Sequence, residues 1–133
     1  MSRPHFLQPL LRRDAAPHEL WNTRTGQPVA TRLEAAFDSA TRRKGLLGRQ
    51  GLEAGAALVI APSNLVHTFA MQFPIDILFV SRDGHVLKVR PEVPRRRIAG
   101  AWGAFAVIEL AAGALSNSRT AAGDRLELKP RLP

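Results

Sequence analysis

A chain of 133 residues with 45% hydrophobic content fits one domain and can bury a real core. It has no cysteine, which excludes a disulfide scaffold, thiol catalysis and thiolate metal sites. The formal net charge is +8, and sixteen of the nineteen basic residues are Arg, suited to bidentate contact with phosphate or carboxylate, while aromatic residues make up only 6% and Tyr is absent, a poor basis for stacking single-stranded nucleic acid.

Residues 1–17 hold Pro4, Pro9 and Pro17 and read as a basic, mobile arm, with Phe6, Leu7, Leu10 and Leu11 available to dock it instead. The start lacks the sustained apolar core of a signal peptide. No apolar run reaches the roughly 18–20 residues a membrane span needs. The expectation is a cytoplasmic protein with a single domain over residues 18–133. Glu19 to Thr23 and Val29 to Phe37 are expected as two strands joined through Gly26 and Pro28, although Ala and Glu dilute the second. Asp38 or Ser39 can cap a short helix from Ala40 to about Leu47, ended by Gly48. Arg42, Arg43 and Lys44 there complement the helix dipole or form an anion patch. Ala57 to Ala61 is a short apolar strand closed by Pro62, and Leu65 to Met71 a second extended piece.

The strongest strand signal is Ile75 to Val80, rich in β-branched and aromatic residues and followed by the Asp83-Gly84 turn. Both faces are apolar apart from Asp76, so both should be covered. An ionised carboxylate there needs backbone donors, an Arg, or Thr68 or His67 as partner. It is either a structural tie or a site carboxylate in a cleft. The returning strand runs from His85 to Arg90, and Pro91 to Gly100 is a loop carrying Arg95, Arg96 and Arg97, either solvated or clamped on an acidic ligand. Ala104 to Leu110 is the next strand, with Glu109 as a second carboxylate in apolar sequence. Ala114 to Arg119 makes a helical turn or two, and Arg125 to Lys129 closes the chain as a strand after Gly123-Asp124.

His67-Thr68-Phe69, Met71, Phe73-Pro74-Ile75-Asp76 and Phe79-Val80 together resemble the signature of domain-of-unknown-function family 192. Arg42 with Gly45-Leu46-Leu47-Gly48-Arg49, Glu109-Leu110-Ala111-Ala112-Gly113 and Gly123-Asp124-Arg125-Leu126 resemble its other segments, with Ala112 where proline is usual. The likeness spans about residues 25–129. It implies a small β-rich fold of sandwich or jelly-roll type and transfers no catalytic residue. Independently of it, short strands separated by Gly/Pro turns predict a mainly-β sandwich or open barrel of seven or eight strands with one or two short helices.

None of His5, His18, His67 and His85 has metal-ligand spacing, no Ser lies in a nucleophile elbow, and Gly45 to Gly51 is not a phosphate loop, so no metal, cofactor or catalytic residue is expected. The leading functional expectation is a non-enzymatic binding module for a small anionic or polyhydroxylated ligand. Its site would use His67, Thr68, Met71 and Asp76, with Glu109 and the basic residues Arg42, Arg49, Arg95, Arg96 and Arg97. A hydrolase or lyase working through Asp76 and Glu109 is the alternative. Weak electrostatic association with nucleic acid is the third reading, marked by steep salt dependence.

Overall fold

The computed structural model describes residues 3–11, 16–69 and 71–132. A 3-10 turn (Gln8–Leu11) precedes β1 (His18–Asn22), β2 (Gln27–Ala30), β3 (Arg32–Ala36), α1 (Ser39–Lys44), β4 (Ala56–Ile60) and β5 (Leu65–His67). There follow β6 (Ile75–Val80), β7 (Val86–Val93), β8 (Ile98–Gly100), β9 (Ala106–Ala111), α2 (Ala114–Ser118) and β10 (Leu126–Pro130). The strands form a five-stranded sheet ordered β3-β4-β9-β6-β7, a three-stranded sheet ordered β10-β1-β2, and the two-stranded ribbon β5-β8. The fold is mainly β with open sheets and two short helices, as expected.

Period-2 alternation decides how these sheets stack. On one face of the five-stranded sheet, Ala57, Val59, Leu78, Val80, Ile108 and Leu110 pack against Leu20, Val29, Ala30 and Leu126 of the three-stranded sheet. On the other face, Leu58, Ile60, Ile75, Ile77, Phe79 and Val107 form a second core with Leu46, Met71 and Ala99. All six residues of β6 are therefore buried, as its two apolar faces demand.

Among the described residues ten strands form where seven or eight were expected, for two physical reasons. The run Val29 to Phe37 breaks at Thr31: β2 pairs antiparallel with β1, whereas β3 pairs parallel with β4 in the other sheet. The parallel pair is reached through α1, the crossover that such pairing requires. The expected loop at Pro91 to Gly100 instead carries the end of β7 and all of β8, because main-chain pairing with Leu65 to His67 outweighs its Pro and Arg content. α1 is shorter than expected. Asp38 caps it in a capping box, with Thr41 N donating to Asp38 Oδ1 at 2.8 Å. Gly45, at φ 48°, ends it a turn before Gly48.

The described part of the N-terminal arm is docked. Leu7 is fully buried in the first core, Phe6 and Leu10 pack beside it, and Phe6 N donates to Arg82 O at 2.8 Å. Residues 12–15 of the arm lie outside the described residues.

Candidate functional site

Asp76 is the first expected site residue that the structure moves elsewhere. It is 0% exposed. Across from it, β7 carries a bulge: Ile75 pairs with Val93 and Ile77 with Arg90, so Pro91 and Glu92 together oppose one residue. The displaced Glu92 N–H, on a residue at φ 48°, donates to Asp76 Oδ1 at 2.8 Å. Oδ2 accepts from Gly113 N at 3.1 Å and Leu115 N at 2.9 Å. Those donors open α2, which has no side-chain cap of its own. Asp76 is therefore a remote helix cap and a bulge clamp, its lone pairs taken by main-chain amides. It leaves the ligand-binding set, and neither His67 nor Thr68 is its partner.

Thr68 is also structural. Its hydroxyl donates to Pro94 O at 2.7 Å and accepts from Arg97 N at 2.8 Å, continuing the β5-β8 ribbon by one residue pair. Arg95, Arg96 and Arg97 are exposed on the loop before β8, where Arg97 folds its guanidinium onto Arg95 O and Arg96 O at 3.2 Å each. Arg49 forms an ion pair with Glu34 and lines a separate surface depression with Arg32 and Glu53.

Four of the expected residues do converge. Arg42, His67, Met71 and Glu109 line a single cleft of about 290 Å³, between the end of α1 on one side and β5 on the other. Arg43 and Lys44, expected either to complement the helix dipole or to form an anion patch, line the same cleft, as do Gly45 and Ser63, which no sequence pattern points to as lining residues. Arg42 is oriented by donating to Phe37 O at 3.0 Å. Among the described residues, Arg42, Arg43 and Lys44 form no ion pair.

Glu109 comes from the middle of β9, paired with Leu58 on β4 and Ile77 on β6, so it points into the apolar second core. It is only 4% exposed, and no hydrogen bond from a described residue holds its carboxyl. Burial pushes its pKa up to about 7, opposed by the positive charge of Arg49. Its carboxyl lies under Gly45, where a Cβ would stand 3.7 Å from Oε1. A Cβ there would be in ordinary contact with the carboxyl, so glycine at 45 answers to its φ of 48° and not to a need for space above Glu109.

The alternation that aims Glu109 at the cleft aims Asp76 away from it. Asp76 shares its face with Leu78 and Leu110, and Glu109 shares the opposite one with Ile77 and Val107. A hydrolase or lyase using both carboxylates on one bond is therefore excluded by the sheet itself. Among the described residues, no cluster of three or more His, Asp or Glu side chains is placed to hold a metal ion.

Two solved structures share the architecture. A candidate transcription regulator from Sinorhizobium meliloti 1021 matches with a TM-score of 0.72 at 22% identity, over 87% of this chain and 97% of that one. A protein of unknown function from Novosphingobium aromaticivorans DSM 12444 matches with a TM-score of 0.72 at 25% identity, over 84% of this chain and 83% of that one. No curated protein matches the sequence. The model of one protein family matches residues 20–128, nearly the whole domain, and the chain belongs to that family, DUF192, described as an uncharacterized ACR.

Proposed function

We propose that the protein is a binding module for a small anionic, hydroxylated molecule of the sugar-acid or sugar-phosphate kind, held in the Glu109 cleft. One observation carries this reading: a buried carboxyl with no hydrogen-bond partner among the described residues forms the floor of a cleft rimmed by Arg42, Arg43 and Lys44. The carboxyl opens into the cleft, where a ligand hydroxyl can hydrogen-bond to it. The rim supplies charge-assisted contacts to an anionic end. His67 lines the same cleft, and Met71 adds an adaptable apolar wall. No residue here is assigned a catalytic role.

The test is isothermal titration with glucuronate, glucose 6-phosphate and uncharged glucose. Binding of the two anions but not of glucose, weakened about tenfold by Glu109→Gln and by Arg43→Ala, fits the loss of about one good hydrogen bond or charge contact. Absence of heat with all three, or affinity unchanged in both variants, refutes the reading.

A further inference from the structure

We propose that the outer face of the β5-β8 ribbon docks on an anionic lipid bilayer. The ribbon pairs Leu65 with Gly100, Val66 with Ala99 and His67 with Ile98. Its inner face sends Val66 and Ala99 into the second core. Its outer face presents Leu65 at 60% exposure and Ile98 at 62%. The stripe continues past both ends of the ribbon. Phe69 follows β5, its ring centroid 5.7 Å from that of His67. Trp102 follows β8 at 98% exposure and shares a shallow groove with Leu65, Leu87 and Lys88.

Among the described residues, seven large apolar side chains are exposed, and five of them lie on this stripe: Leu65, Phe69, Leu87, Ile98 and Trp102. Scattered exposed apolar residues need no explanation, but a contiguous set marks an interaction surface. The two segments that carry Leu65, Phe69, Ile98 and Trp102 bear charge of one sign, although β7, which carries Leu87, also exposes Glu92. Residues 61–75 and 93–108 contain no Asp or Glu. Arg95, Arg96 and Arg97 stand exposed at one end, and the half-buried Lys88, donating to Gly100 O at 2.9 Å, lies at the other, so the partner surface is negative.

A projecting Trp suits a protein pocket as well as a bilayer, so what favours a bilayer is the row of exposed Arg beside the stripe. Here the side chains project from a narrow ribbon, and Trp102 stands at a turn where Gly103 takes φ 79°. A membrane interface accepts a projecting Trp at headgroup depth, aliphatic side chains just below, and cations at the phosphates. No helix among the described residues is long and apolar enough to cross a membrane, so the contact is peripheral. Leu65 and His67 line both this face and the Glu109 cleft, but Ile98, Trp102, Arg96 and Arg97, the positions tested below, do not line that cleft.

The test is co-sedimentation of the full chain with phosphatidylcholine vesicles, with and without roughly one-third phosphatidylglycerol, read together with Trp emission. The expected result is binding to the anionic vesicles alone, with a blue shift of the emission. Trp102→Ala with Ile98→Ala, both at exposed positions, should abolish the shift and weaken partitioning about tenfold. Arg96→Ala with Arg97→Ala should weaken partitioning while leaving the blue shift of the bound fraction. Three outcomes overturn the proposal: no sedimentation with anionic vesicles; equal binding by the Trp102→Ala, Ile98→Ala variant, meaning adsorption by net charge only; or a concentration-dependent dimer that buries Trp102 without lipid.

Discussion

Asp76 and Glu109 stand one step out of register on neighbouring strands, and that step puts their carboxyl groups on opposite sides of one sheet. Asp76 pairs with Leu110, and Ile77 pairs with Glu109. The same alternation that makes both residues look anomalous in an apolar sequence gives them opposite environments. Asp76 meets three main-chain donors. Glu109 meets hydrocarbon and the mouth of a cleft.

Asp76→Asn should destabilise the fold strongly. The new amide must turn an N–H toward donors at Glu92 or at Gly113 and Leu115, which loses hydrogen bonds and leaves buried amides unpaired. The expected loss is about 3 kcal/mol in urea unfolding. Because Asp76 faces away from the cleft, ligand affinity of the folded fraction should be unchanged. A stable variant that no longer binds ligand would return Asp76 to the site.

Glu109 should make stability depend on pH in the sense opposite to ordinary salt-bridged carboxylates. Its folded-state pKa, raised to about 7, lies above the unfolded value near 4.5. The folded chain thus holds this proton where the unfolded chain has released it. The contribution is complete below pH 4.5 and is lost as pH rises through 7, by about 3 kcal/mol in total. Glu109→Gln, which cannot ionise, should flatten that slope, matching the parent at pH 4.5 and exceeding it at pH 8. Urea unfolding at both pH values measures this, and parallel pH profiles in parent and variant would refute it.

Strand faces were legible in the sequence because period-2 patterning needs only local information. Ile75 to Val80 and the next strand around Ile108 and Leu110 follow from that pattern alone. The β2-β3 break at Thr31 was not legible, since the choice between two sheets is made by partners far along the chain. β8 was hidden for the same reason: Pro94 and three Arg read as loop until Leu65 to His67 supply a pairing edge. At the site, the residue types were visible but not their grouping. His67, Met71 and Glu109 converge only after β5, β9 and the end of α1 stack on one face. The exposure of Trp102 is not legible in the sequence, because it depends on where the ribbon ends.

Leu7 ties the N-terminal arm to the body. It is 0% exposed and packs in the first core, although the Pro-rich segment around it suggests a free arm. Leu7→Ala should cost about 3 kcal/mol, from lost transfer free energy and the cavity left behind. Chemical denaturation reads the cost directly. A loss below about 0.5 kcal/mol, the level of an ordinary surface substitution, would mean that the arm is undocked in solution.

A polar knot holds the other end of the chain, and it should govern acid sensitivity. Asn22 on β1 donates through Nδ2 to Asp124 Oδ2 at 2.8 Å and to Thr120 Oγ1 at 3.2 Å. Arg24 Nε donates to Asp124 Oδ1 at 2.6 Å, and Ala121 N to Oδ2 at 2.8 Å. The Arg24 guanidinium first, then the Asn22 amide and the Ala121 N–H, hold the Asp124 pKa down at about 2. A depressed carboxylate contributes stability that is present above its unfolded pKa near 3.8 and is lost as pH falls toward 2. Asn22→Ala leaves buried acceptors on Asp124 and Thr120 with one donor fewer, and should cost about 2 kcal/mol at neutral pH. Asp124→Asn should remove this residue's share of the acid slope between pH 4 and pH 2 while retaining the slope set by Glu109 between pH 4.5 and pH 7. Loss of both slopes together in Asp124→Asn would show that the two carboxyls titrate as one coupled unit, against their separation in the fold.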